Sequence, residues 1–544
     1  TLSMVQNRTM TIPGNITGPG GLTKSYGFGA LAGTTVNLTL SGTNDFAGDF
    51  TIFGGGVRFN SDASAGKGRV IVSMPVGGVA NATLRNLGVA LSTLTNEVVF
   101  NANNGLIITL DSDVPNTFAM SGNFSGIGAV VHGANTGGTV VLSGDNSAWS
   151  GGMTARRGTL RLNHKNALGS GQYVVAPSGA AGAMAVSLQA GISLTGVNAI
   201  TNSVQFASTN ISLVLTSSWF TVSGTNDIDL AGPISLGISG SSSPVITNLN
   251  TGATILSGVI SGVGFGFTKV GAGTLTISNG ANGFDGGTVI NEGAVKIING
   301  SGSALGSGSV TIGALGTLTG SGSASGAVAV SGTVAPGSSV GTLGSGSETW
   351  AGGGHYVFEI NQAAGTAGTS PGWDKLNITG GLNITATSGN KFIINITSLT
   401  LANAPGAVSD FSEINSYSWV IASTTTGVTG FDTNAFTLNT NNFVNGLGSG
   451  SFSLSIIGND LILNFTGASV AQPPSSFVTT SAGQGTFSGS PNTTYTVQYA
   501  DILASPTTWL TLTNVLTDGA GVGAFNDPSA PGGQPQRFYR VRNP

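Results

Sequence analysis

The sequence predicts an all-β protein, a right-handed parallel β-helix with a small β-sandwich at its C-terminal end. Three observations carry that expectation. Glycine takes 89 of 544 positions and punctuates short runs of Val, Ile, Leu and Thr. Within those runs apolar and polar residues alternate, which is the period of a strand. One ordered set of landmarks also returns three times along the chain. No amphipathic run of a dozen residues survives the glycines, so helices are not expected.

Composition narrows the function classes. Only 7% of residues are Asp, Glu, Lys or Arg, against about 25% in ordinary soluble domains. A hydrophobic fraction of 39% and a net charge of -4 argue against disorder, which goes with low hydrophobicity and high charge. The chain has no cysteine, so a disulfide framework and a thiolate metal site are both excluded. That suits the cytosol, and equally bacterial secreted proteins stabilised by repetition. No apolar run reaches the roughly 18 residues of a membrane-spanning helix. With 17 Lys and Arg against 21 Asp and Glu and no basic cluster, a nucleic-acid partner is not expected. The first residue is Thr1, so an initiator and any signal segment are expected to lie outside this chain.

The repeat is the strongest signal. "TIPGNITGPGG" (11–21) returns as "AMSGNFSGIGA" (119–129) and "ILSGVISGVGF" (255–265), anchored on Gly14, Gly122 and Gly258. After each anchor comes a β run ending in Ser-Gly or Ser-Asn: "LTLSGTNDFAGD", "VVLSGDNSAWSGG" and "LTISNGANGFDGG". An aromatic stands two residues before a glycine in each, at Phe46, Trp149 and Phe284. "GGVRFN", "GTLRLN" and "GAVKII" follow, then "SAGKG", "ALGSG" and "ALGSG". The second interval between anchors is the longer, and it holds a further anchor-like piece at Gly232, "DLAGPIS" (229–235). Its extra length and that added anchor both predict coils of about 27 residues, four in the first interval and five in the second.

In such a coil the inward positions take Val, Ile, Leu and Phe, and the outward ones take Thr, Ser and Asn in lateral ladders. Like charges at one height would repel at each rung, which fits the low charge content. Gly and Asn supply the positive-φ corners.

"GAGTLTIS…FDGGTVINEGAVKI" (271–297) resembles the autotransporter-associated β-strand repeat, and "GTVAPGSSVGTL" (332–343) resembles the Pro-Gly element that often follows it. The resemblance covers residues 1–345, taken as three long repeat units. It extends loosely through 346–470, read as late coils and a cap. It implies a β-helical stalk of an exported bacterial protein. The chain ends in "RFYRVRNP" (537–544), so the translocator barrel of that family is not expected within it. A linker is expected at 471–476, in "SVAQPPSS". Residues 477–544 then form a small sandwich, similar to the fibronectin-type-III-like modules that end many secreted repeat proteins. Tyr495, Tyr499, Trp509, Phe525 and Tyr539 are its candidate core.

Parallel β-helices host polysaccharide lyases and hydrolases, so acidic pairs need weighing. Asp111 with Asp113, and Asp227 with Asp229, stand at i and i+2 on one strand face, near enough for acid–base or calcium chemistry. The adjacent Asp pair, Gly-His-Gly and Arg-x-Lys of such glycosidases are absent. Surface-ladder or coil-edge roles are therefore expected for both pairs and for His132, His164 and His355. Arg58, Arg161 and Lys296 occupy matching repeat positions and suggest a cationic column, read as isolated surface charges rather than a polyanion track. Trp350, Trp373, Trp419 and Tyr356 are expected to be buried in the cap rather than to stack on sugars. Asn37, Asn377 and Asn395 begin Asn-x-Ser/Thr triplets, which arise by chance in such a composition.

No catalytic, cofactor or metal residue is assigned and no cofactor is expected. The expected function is a non-catalytic extracellular or cell-surface structural protein that associates with copies of itself. The unpaired N-terminal strand "TLSMVQNRTMTI" (1–12) would template that association. A glycan- or surface-binding adhesin is the second reading, and a polysaccharide lyase or hydrolase the third.

Overall fold

The computed structural model describes residues 2–4, 9–26, 37–76, 81–86, 88–133, 137–177, 186–207, 220–467, 473–479, 483–530 and 536–543. Among them there is no α-helix, only strands, most of them short, and two single 3-10 turns. The chain divides into two units. The first holds residues 1–411, 418–445 and 453–464, and the second holds 412–417, 446–452 and 465–544.

In the first unit the chain winds as a parallel β-helix. The coil made by Val98–Phe100, Ile108–Ser112 and Thr117–Met120 has one short strand on each of three faces. Val98 pairs with Val70 and Phe124, Ile108 with Ala82 and Val130, and Thr117 with Leu91 and Thr139, all in parallel. The first face runs unbroken from Leu2–Met4 to Ala148–Trp149, and the second from Thr9–Ile12 to Ile260–Ser261. The third face starts at Leu91–Leu94.

Each ladder continues where its regular strands lapse. On the first face Ser170 N–H donates to Trp149 O at 2.8 Å, Asn202 donates to Gly169 and Gly171, and Ile200 bridges to Leu230. On the second face Gly283 N–H donates to Ile260 O, and Ala281 bridges to Ser303. Ser323 then bridges to Gly344 in Thr342–Ser345, and the strands Lys375–Ile378, Tyr417–Thr424 and Asp460–Thr466 complete that face.

The alternation expected from sequence sets which side chains face in. Val98, Phe100, Ile108, Leu110, Phe118 and Met120 are all buried, and slipping a strand by one residue would turn that set outward. Aromatics stack up the interior: Phe100 and Phe124 have centroids 5.1 Å apart, and Phe124 and Trp149 are 5.8 Å apart. The first glycine of the last landmark seats on the aromatic of the β run. A Cβ on Gly169 (φ +67°) would lie 2.2 Å from the Trp149 carbonyl oxygen, and one on Gly306 (φ +62°) 1.9 Å from that of Phe284. A side chain at either position meets fixed backbone as well as an unfavourable φ.

Two expectations need correction. Coils are not of uniform length. Ile312 stacks on Val330, Leu188 on Val222 and Asn383 on Thr429, so coil length more than doubles from the first of these to the last. Register fixes only the strands, and the turns between them accept insertions. The repeat copies also do not stand above one another. Leu38 and Leu40 pair with Val57 and Phe59 on the second face, and Val140 and Leu142 with Leu160 and Leu162 on the third. Leu275 and Ile277 pair with Val295 and Ile297 on the first. The two strands of each copy thus close one short coil, and successive copies advance by one face. The interval from Gly14 to Gly122 holds four coils and that from Gly122 to Gly258 holds five, plus one further face each.

The second unit contains two three-stranded sheets. One orders as Ser475–Thr479, Gln484–Ser488 and Val522–Asn526, and the other as Leu510–Leu516, Thr494–Ala500 and Phe538–Arg542, with antiparallel pairings. Phe487, Tyr495, Val497, Val515 and Phe525 form the core between them, with Leu512, Tyr539 and Val541 packed against it. Of the expected linker, 471 and 472 lie outside the described residues, and the first strand already begins at Ser475. Of the N-terminal segment 1–12, residues 1 and 5–8 lie outside them as well.

Candidate functional site

Two sets of sequence candidates meet on the second face. Arg58 is the register partner of Arg85, and Arg85 of Asp111. Arg85 forms an ion pair with Asp113. Burial, and next the neighbouring Arg85 charge, draw the Arg58 guanidinium below its usual range, while Asp113 opposes them. Stacked like charges therefore do occur here, offset by an aspartate. Asp111 is only 1% exposed, and its carboxylate accepts from Ser112 N–H at 3.1 Å. It is a buried residue, not the surface-ladder position expected. Asp113 serves Arg85.

The other acidic pair closes turns. Asp227 accepts from Ala253 N–H at 2.7 Å, and Asp229, itself buried, accepts from the Ser257 hydroxyl at 2.7 and 2.9 Å. Both fasten one coil to the next.

His132 is also corrected. Its strand Val130–His132 points it inward between Leu110 and Ala155, on the opposite side of the sheet from Asp111. Burial pulls its imidazole down to about 4, with a backbone hydrogen bond to Thr159 opposing. His164 accepts from Asn166 N–H at 3.1 Å in a local turn. His355 lies 3.3 Å from the Asn395 amide, and Asn395 in turn accepts from Asn439 at 2.9 Å.

The three matching cationic positions do not stack into a column. Arg58 stands on the second face, Arg161 on the third beside Gln189, and Lys296 on the first between Thr276 and Thr319. The one-face advance between copies separates them. Trp350, Trp419 and Tyr356 are buried, as expected, and the half-buried Trp373 indole donates to Val420 O at 3.0 Å. Among the triplet asparagines Asn377 is exposed and Asn37 half-buried.

Sequence reasoning missed two sets of buried polar groups. Asn44, Asn146 and Asn282 each clamp three coils. Asn146 accepts from Phe124 N–H at 2.7 Å and donates to Ala167 O at 2.7 Å. Asn44 does the same with Ile16 N–H and Ser64 O, and Asn282 with Ile260 N–H and Ala304 O. The signal was present in the sequence, since each stands two or three residues before the aromatic of its copy. The second set is acidic. Glu348 is buried and accepts from the Trp350 indole (2.8 Å) and the Ser345 hydroxyl (2.7 Å). Asp374 is buried and accepts from Gly341 and Glu359 N–H. Burial pushes the Glu348 and Glu359 carboxyls up, and that of Asp374 well up, with the Glu359 charge adding to the last. No motif marks these acids.

Among the described residues no three His, Asp or Glu gather to hold a metal ion, and no helix is long and apolar enough to cross a membrane. No curated protein matches the chain. The family model of the Passenger-associated-transport-repeat matches residues 32–58, 137–162 and 267–297. Each match contains one of the three short coils closed by a repeat copy, with its Ser-ended strand, buried asparagine, aromatic and Gly-led strand. Three short stretches of the chain, one on each face of the β-helix, are thus similar to the Passenger-associated-transport-repeat.

Proposed function

We propose that this chain is a non-catalytic extracellular structural protein: a rigid β-helical rod that associates with copies of itself into a fibre or layer at the cell surface. One observation carries the reading. Buried polar side chains join coil to coil, from the asparagine clamps to Asp229 with Ser257. A wall of that kind supplies shape and stiffness.

A β-helix grows by stacking coil on coil, and a strand edge that meets a copy of itself templates further pairing. Head-to-tail contacts that do not close give filaments. Electron microscopy of the purified chain at high concentration tests this: fibres or sheets are expected, and dispersed monomers would contradict it.

A second reading, a surface-binding adhesin, is favoured by the arginine-bearing sheet of the C-terminal unit.

A further inference from the structure

Residues 477–544 contain three cations, Arg537, Arg540 and Arg542, and three acids, Asp501, Asp518 and Asp527. The acids are all engaged. Asp527, buried, and Asp501 both bind the Arg537 guanidinium at 2.8 Å. Asp518 accepts from Ala520 and Val522 N–H and closes a turn. Arg537 is thus held by two carboxylates, and among the described residues Arg540 and Arg542 of the last strand form no ion pair.

Those two arginines share one side of the sheet. Tyr539 and Val541 point into the core, so the alternate positions Arg540 and Arg542 point out, about 7 Å apart along the strand. Across from them stand Gln498 and Thr496, and beyond these Thr511 and Asn514. The Thr496 hydroxyl bonds to the Asn514 amide oxygen at 2.9 Å. Arg540 lies over the Trp509 ring, its Cζ 4.4 Å from the centroid, with its Nε bonded to Gln498 at 2.8 Å. Arg542 is exposed.

We propose that this outer sheet face binds a carboxylate-bearing polysaccharide and so attaches the protein to an acidic surface glycan. A guanidinium fixed by stacking presents its remaining N–H edge at little entropic cost, and that edge matches a carboxylate in bidentate fashion. The flanking hydroxyls and amides suit sugar hydroxyls. Arg540 covers one face of the Trp509 indole. The site therefore selects for acidic sugars. This goes beyond the rod reading and does not depend on it, because attachment and self-association are measured separately.

The test uses the full chain on immobilised polygalacturonate, with dextran as the neutral control and phosphatidylglycerol vesicles as a non-sugar anion. Retention by polygalacturonate, none by dextran and release by salt are expected. Arg542→Gln should weaken binding about tenfold, equivalent to one charged hydrogen-bonded contact. Because that side chain is exposed and the Trp509 stack is untouched, the loss is separable from unfolding. Arg540→Gln combined with Arg542→Gln should abolish retention, whereas Lys296→Gln on the β-helix should leave it unchanged. Native retention by the double variant, equal retention by dextran, retention by vesicles alone, or no retention by polygalacturonate would each overturn the proposal.

Discussion

The coil around Trp149 and the coil around Trp350 bury the same side chain and satisfy it differently. Both indoles are fully buried. Trp149 Nε1 donates to the Gly128 carbonyl at 2.8 Å, a neutral partner in the preceding coil. Trp350 Nε1 donates to the Glu348 carboxylate at 2.8 Å, within its own strand. Around the first, polar closure falls to asparagine amides that cannot titrate, beside a buried His132 whose protonation burial disfavours. Around the second it falls to Glu348 and Asp374, whose ionisation burial disfavours. One architecture can thus be closed in ways that respond differently to pH, and a β-helix, whose stability is close to a sum over neighbouring coils, lets the two regions be read apart.

The largest expected effect comes from breaking the neutral clamp. Asn146→Leu leaves the Phe124 N–H and the Ala167 carbonyl without their partner inside the coil stack. An unmet buried group costs about 1–3 kcal/mol, so a local loss of about 2–5 kcal/mol is expected. Hydrogen exchange should show it as lost protection at residues 124–167, with little change beyond residue 346.

A smaller effect sharpens the comparison by acidification from pH 7 to pH 5. His132 is held near 4 in the folded chain, against about 6.5 unfolded. The unfolded state therefore takes up a proton that the folded state refuses, and stability falls between those values, by about 2 kcal/mol at pH 5. The late coils should move the other way. Their carboxyls are raised in the folded state, so neutral pH disfavours the fold and protonation relieves it as pH falls from 7 toward 4. Exchange protection should drop around residues 130–155 and rise around residues 348–378. His132→Leu should remove the first change and Glu348→Gln should reduce the second.

Much of the fold was legible because a β-helix writes its rules locally. The alternation in "VVLSG" placed Val140 and Leu142 inside, and the glycines marked corners. Parity also held the burial of His132, which stands two residues after the buried Val130, although the isolated histidine suggested an edge. The advance of the motif by one face was not legible, because it depends on the summed lengths of coils that carry no motif. The meeting of Arg58, Arg85 and Asp113 follows from the same register, which brings them together from three successive coils. Glu348 and Asp374 gave no signal, since their burial comes from coils packed around them.

The central claim is that each motif copy closes a single coil. The chain has no cysteine of its own, so engineered pairs test this directly. Thr276 and Lys296 are parallel partners one coil apart on one face, within the Cα spacing that a disulfide accepts. Thr276→Cys with Lys296→Cys should form an intramolecular disulfide under mild oxidation, and Arg58→Cys with Arg161→Cys, at matching repeat positions on different faces, should not. Failure of the first pair, or equal bridging by the second, would contradict the coil register on which the account rests.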